Sequence, residues 1–158
     1  MVWDFVVRTT IWAAALTLWL SLHRPPEGPL VPRWAGLATV VGVLVVVAGL
    51  VLYVAGAVTI ARARRDTRGA ATDLLTHGPF RIVRNPIYLG IAILVAGLTL
   101  LYEAWRIEDL VRTGFLLLTG HLLVVFIEEP ATARRFGASY DAYRRQVPRW
   151  VPRLRRLR

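Results

Sequence analysis

From Ala35 to Ala61 the chain runs twenty-seven residues without a charge. At about 1.5 Å of helical rise per residue this stretch reaches about 40 Å, more than the ~30 Å hydrocarbon layer, and so predicts a transmembrane helix that tilts or emerges among the headgroups. The rest of the chain agrees: 56% of its residues are hydrophobic and the mean hydropathy is +0.50, too apolar for an ordinary soluble domain. Gly42, Gly49 and Gly56 recur every seven residues on one face, a spacing that lets a second helix approach closely.

Three more apolar segments follow the same logic: Phe5 to Leu22, Ile87 to Tyr102 and Thr113 to Ile127. The first lacks the basic start and the small-residue cleavage site of a secretory signal, and is expected to be retained. The last two reach only about 24 Å as helices, and the polar connection Glu103 to Arg112 pairs them antiparallel. Beyond Pro130, Ala131 to Gln146 reads as one amphipathic helix with Phe136, Tyr140 and Tyr143 on a single stripe. The expected fold is all-α: an integral-membrane bundle of about four transmembrane helices with a C-terminal amphipathic cytoplasmic helix. At 158 residues it makes one domain, residues 1–61 holding the first two helices and 62–158 the remainder.

The net charge of +10 comes from twenty arginines and no lysine. Arg62, Arg64, Arg65, Arg68, Arg81 and Arg84 flank apolar segments and nine more arginines lie after Pro130, the distribution of a multi-pass protein of the inner or plasma membrane with both termini cytoplasmic. The arginine-rich ends suit anionic lipid headgroups. No nucleic-acid-binding module is present to organise the charge, so nucleic acid is not an expected partner. Cysteine is absent and His23, His77 and His121 are scattered without ligand spacing, so no metal is expected.

Chemistry concentrates where the chain passes from polar to apolar. Gly78-Pro79 marks a turn, and Pro86 disfavours helix at Asn85 while suiting the first helical turn, which places a helix onset near Pro86. The free N–H groups of such an onset, with Arg81, Arg84, Asn85 and Tyr88 nearby, outline a ligand site. Glu128-Glu129 closes the last apolar segment and is expected near a helix C-terminus, where the dipole opposes negative charge. The pair needs partners: Arg134, Arg135 or the arginines near Pro86, or else a cationic or hydroxyl-rich ligand. His121 stands seven residues before Glu128 on about the same face, with Val124 one turn before the glutamate. No phosphate-binding loop and no Gly-x-Ser-x-Gly is present.

The order Arg84-Asn85-Pro86-Ile87-Tyr88-Leu89-Gly90, then Glu128-Glu129, then Phe136-Gly137-x-x-Tyr140-x-x-Tyr143 and Val147-Pro148-Arg149-Trp150-Val151-Pro152 resembles the isoprenylcysteine carboxyl methyltransferase family and its phospholipid N-methyltransferase relatives. The family signature has histidine where Asn85 stands, and tyrosine is common at the position of Phe80. The resemblance implies S-adenosylmethionine as methyl donor, with S-adenosylhomocysteine as product, in a core formed by residues 62–158. It implies cofactor contacts at Leu74, Leu75, Phe80, Asn85, Pro86, Ile87, Tyr88 and Glu128. The acceptor is a lipophilic or lipid-linked molecule, by default a carboxylate, with a phospholipid or other hydrophobic amine as the alternative. Arg84 would supply charge toward an anionic acceptor, and His121 or Glu129 would take a proton from an amine. Val124 occupies the place of an arginine that grips the acceptor carboxylate in the eukaryotic enzymes. A helical membrane scaffold or lipid-binding protein without enzymatic activity would keep the apolar helices but have no need of Glu128-Glu129.

Overall fold

The computed structural model describes residues 36–66, 73–101 and 107–152; the first apolar segment, Phe5 to Leu22, lies outside them. The described residues are helical, with no strand among them. Helix α1 (Leu37–Asp66) continues past Ala61 through the first arginines, and α2 (Pro86–Leu101) begins at the residue expected of it. Between them a short 3-10 turn (Gly78–Arg81) opens at Gly78, whose φ of 59° only glycine adopts without strain.

The heptad glycines of α1 meet α2. A Cβ on Gly42 would strike Leu101, one on Gly49 would enter the backbone at Leu94 and Gly90, and one on Gly56 would strike Ile87, so the two helices run antiparallel along their whole contact. Gly90 and Gly97 reciprocate from α2: a Cβ on either would come within 2.7 Å of a backbone nitrogen of α1, at Tyr53 and Val46 respectively. The other face of α1 exposes Val40, Leu44, Val47, Val51 and Val54, side chains suited to lipid.

Helix α3 (Ile107–Leu123) runs antiparallel to α2, with Val95 packed on Leu116 and the Thr99 and Thr113 hydroxyls 3.3 Å apart. It does not stop at Ile127. A π-turn (Val124–Glu128) carries the helix into α4 (Glu129–Phe136), so that Leu110–Phe136 forms one apolar rod of 27 residues. Pro130 explains the turn. It has no N–H for the carbonyl of Phe126 and its ring crowds that oxygen, and the helix answers by widening, with the Glu129 N–H bonded to the Val124 carbonyl five residues back. Glu128 and Glu129 therefore sit inside a continuous helix, and the expected helix end, with its unfavourable dipole, does not exist.

The expected helix Ala131 to Gln146 is likewise divided. Gly137 (φ 50°, ψ −127°) separates α4 from α5 (Ala138–Gln146), which buries Tyr140 and Tyr143 with Val147 against Leu74, Ala133 and Phe136. The chain then leaves the helix in an extended conformation at Val147. Among the described residues two helices, Thr39–Ala63 and Leu110–Phe136, are long and apolar enough to cross a membrane.

Candidate active site

The turn before α2 is held at both ends. Val83, fully buried, and Ile82 donate their N–H groups to the Pro79 carbonyl, and the Arg84 N–H donates to the carbonyl of Pro148 at 2.9 Å. Asn85 caps α2 through its carbonyl, which accepts from the Leu89 N–H at 3.0 Å, and Pro86 follows in the first turn, where a missing N–H costs nothing. The Asn85 side chain lies close to the Glu129 carboxylate, but its Nδ2 is buried without a partner at hydrogen-bonding geometry, as is Nε of Arg84. Two adjacent donors thus end unsatisfied at one helix onset, where burial makes each costly.

Across from them stands the widened turn of the long rod. The Tyr88 hydroxyl donates to Oε1 of Glu128 at 2.8 Å. Glu129 takes a fork of two bonds from Arg149, Nε to Oε1 and Nη2 to Oε2, both 2.8 Å, and Arg84 Nη1 approaches the same Oε1 at 3.3 Å. Arg84 Nη1 also donates to the Tyr140 hydroxyl at 3.3 Å. The side chains of Arg84 and Glu129 are only 11% and 13% exposed, so these charges meet largely out of water, where pairing matters more than on a surface. Burial, and then the charge of Glu129, push the Tyr140 phenol up from its usual range and keep it neutral. The hydrogen bonds to Glu129 raise Arg149 further and keep it cationic.

His121 lies back along the rod and meets the chain's last described segment. Trp150 donates its indole N–H to Nδ1 at 3.1 Å, with the two rings 5.8 Å apart at a tilt of 38°. Indole nitrogen only donates, so Nδ1 is the acceptor in this bond. Tyr143, its phenol pushed up by burial, donates to the carbonyl of Phe80 at 2.6 Å and so ties α5 to the turn before α2. A cavity of about 300 Å³ opens beside it, lined by Thr76, Arg81, Ser139, Tyr143, Gln146 and Val147.

Of the residues singled out in the sequence, Arg84, Asn85, Tyr88, Glu128 and Glu129 gather at the meeting of the two elements, with buried Pro86 beneath them. Leu74 and Phe80 flank the group through the Tyr140–Tyr143 cluster, and Leu75 is half-buried. Ile87 packs on Gly56 of α1, away from the carboxylates. Among the described residues no group of side chains suits a metal ion. The pairing of Glu129 falls to Arg84 and Arg149, and not to Arg134 or Arg135. Sequence reasoning gave no site role to Arg149, Tyr140 or Trp150. The available signal was their place in the Tyr140-x-x-Tyr143 and Val147-Pro148-Arg149-Trp150 runs.

A cluster of largely buried polar side chains, built from a helix onset, a carboxylate pair and aromatic hydroxyls, thus lies between helices of which two are long and apolar enough to cross a membrane. The phospholipid methyltransferase family pattern matches residues 37–139, and the chain belongs to that family. No curated protein and no solved structure matches it.

Proposed function

We propose that the chain is an S-adenosylmethionine-dependent methyltransferase that acts on a lipophilic acceptor at the cytoplasmic face of a membrane, and that the acceptor's nucleophile is a carboxylate. The fold around the site is then a single domain of four membrane helices, Phe5 to Leu22 being the first, with both termini cytoplasmic and α5 at the headgroup level. The arginine distribution supports that topology.

The residues present fit the cofactor. Arg84 Nε and Asn85 Nδ2 are buried donors without partners, suited to its carboxylate, and Glu128 with Tyr88 suits its ammonium or ribose hydroxyls. Leu74, Leu75 and Phe80 would border it on the side of α5. When bound, the cofactor supplies a methyl group activated by a sulfonium. The protein's own share is alignment and exclusion of water, which an in-line displacement chiefly requires.

One observation carries the choice of a carboxylate. An ammonium must lose a proton before it attacks, and the two groups that would take it are engaged: Glu129 by two guanidiniums, His121 Nδ1 by the Trp150 indole. A carboxylate arrives with its lone pairs free. The family's phospholipid name, and fully buried Val124 where an arginine would grip an acid, favour the second reading, a phospholipid amine. A pH series separates the two. Methylation of a carboxylate, with a pKa near ~4, stays flat from about pH 6 to 8, whereas methylation of an amine rises with pH over that interval. A rising rate that His121→Ala abolishes would replace the carboxylate with the amine.

A further inference from the structure

Three consecutive residues after α5 reach three different parts of the site. The Pro148 carbonyl accepts the Arg84 N–H, the Arg149 guanidinium holds Glu129, and the Trp150 indole holds His121. Val147 leaves α5 at φ −108°, ψ 123°, and the chain bends again at Arg149 and Trp150, so that neighbouring residues face different parts of the site. The strap lies beyond residue 139, where the family match ends.

The strap bridges two walls that differ in what holds them. Asn85 and Tyr88 belong to α2, which is fixed to α1 by its glycines. Glu128, Glu129 and His121 belong to the long rod, which meets α2 at the far end through Val95 with Leu116 and Thr99 with Thr113, and at the site end through the single bond from Tyr88 to Glu128. At the site end Arg84 reaches Glu129 with one nitrogen at 3.3 Å and divides that nitrogen with Tyr140. Arg149 reaches both oxygens of the same carboxylate at 2.8 Å. A two-point fork fixes the plane of a carboxylate as a single long contact does not.

We propose that the Val147–Trp150 strap fastens the walls of the site to each other, and that Arg149 is a positioning residue that acts through Glu129. Arg149 orients Glu129, Glu129 orients Arg84, and the turn carrying Asn85 and Tyr88 is thereby held against Glu128. The ligand named in the test rests on the methyltransferase reading, while the lacing itself does not.

The experiment has two readouts on detergent-purified protein. Calorimetry with S-adenosylhomocysteine should show Arg149→Ala and Glu129→Gln each weakening binding by about tenfold or more, and the double variant no weaker than the worse single, as linked residues require. Arg145→Ala, on the exposed face of α5, should bind as the parent does. Hydrogen exchange without ligand should show Arg149→Ala hastening exchange at the Arg84 and Leu89 amides while the interior of α1 stays protected. Arg149→Lys keeps the charge without the fork, should fall between parent and alanine, and carries both readouts if the alanine variant does not assemble. Additive losses in the double variant, or unchanged exchange at Arg84, overturn the proposal. A parent protein that shows the exchange pattern but binds no S-adenosylhomocysteine overturns the cofactor reading and leaves the strap standing.

Discussion

The seam between α1 and α2 and the seam between α2 and the long rod lie on opposite faces of one helix and are closed by different means. The first uses absence: five glycines let backbones approach until no side chain fits between them. The second adds hydroxyls and charge to an apolar contact: Val95 packs on Leu116, Thr99 faces Thr113, Tyr88 bonds Glu128, and Arg84, just before the helix, meets Glu129. Lipid tails are as apolar as the helices, so close van der Waals contact is what holds a bare helix pair together, and it specifies a distance. Buried charge pairs add little net stability but specify which atom faces which. The two seams together give one wall set at a fixed distance and a second wall held in register against it.

The largest break should come from the glycine seam. Gly90→Leu places a Cβ within 2.6 Å of the Tyr53 nitrogen, and backbone cannot swing aside as a side chain can. The expected loss is at the top of the overpacking range, about 3 kcal/mol or more, seen as failure to recover monodisperse protein or a strongly lowered melting temperature. A wild-type melting curve would show that α1 and α2 are not packed as described. Gly90 closes the signature run Arg84 to Gly90, so a loss in this variant assigns the run's last residue to packing.

Next in size, Glu129→Ala leaves two guanidiniums facing each other across a lost carboxylate. Removing one member of a fully buried pair costs about 3–5 kcal/mol, and with Arg149 a third exposed the expected loss is nearer ~2 kcal/mol. Thermal unfolding in detergent measures it, and a loss under ~0.5 kcal/mol would make the cluster an exposed ion pair in effect. Smaller again is Tyr143→Phe, which removes one hydrogen bond to the Phe80 carbonyl and should cost about 1 kcal/mol, the value of a typical buried bond. No change there would detach α5 from the turn before α2.

What the sequence shows of this comparison is uneven, and the reason is locality. The glycine seam was legible because its signal is a period along one helix, Gly42, Gly49 and Gly56. The onset of α2 was legible because Pro86 acts on its immediate neighbours. The run Arg84 to Tyr88 and the pair Glu128-Glu129 were legible as unusual residues beside apolar segments. The other seam was not, since Arg149 finds Glu129 only after α5 has turned back at Gly137, and no local pattern encodes that path. Pro130 also misled: read as a helix stop, it instead widens the helix, because the chain bonds one residue farther back and continues. With that turn, the short fourth helix of the sequence reading becomes a 27-residue rod.

The central claim is that Glu128, set against Tyr88 and the unpartnered donors of Arg84 and Asn85, holds S-adenosylmethionine. Calorimetric titration of S-adenosylhomocysteine into purified parent protein and Glu128→Gln tests it most directly. The parent should bind at micromolar strength, and the variant, equal in shape and in melting temperature, should bind about 1.5–3 kcal/mol more weakly, the worth of a hydrogen bond to a charged group. No binding by folded parent protein, or equal affinity in the two, would contradict the account.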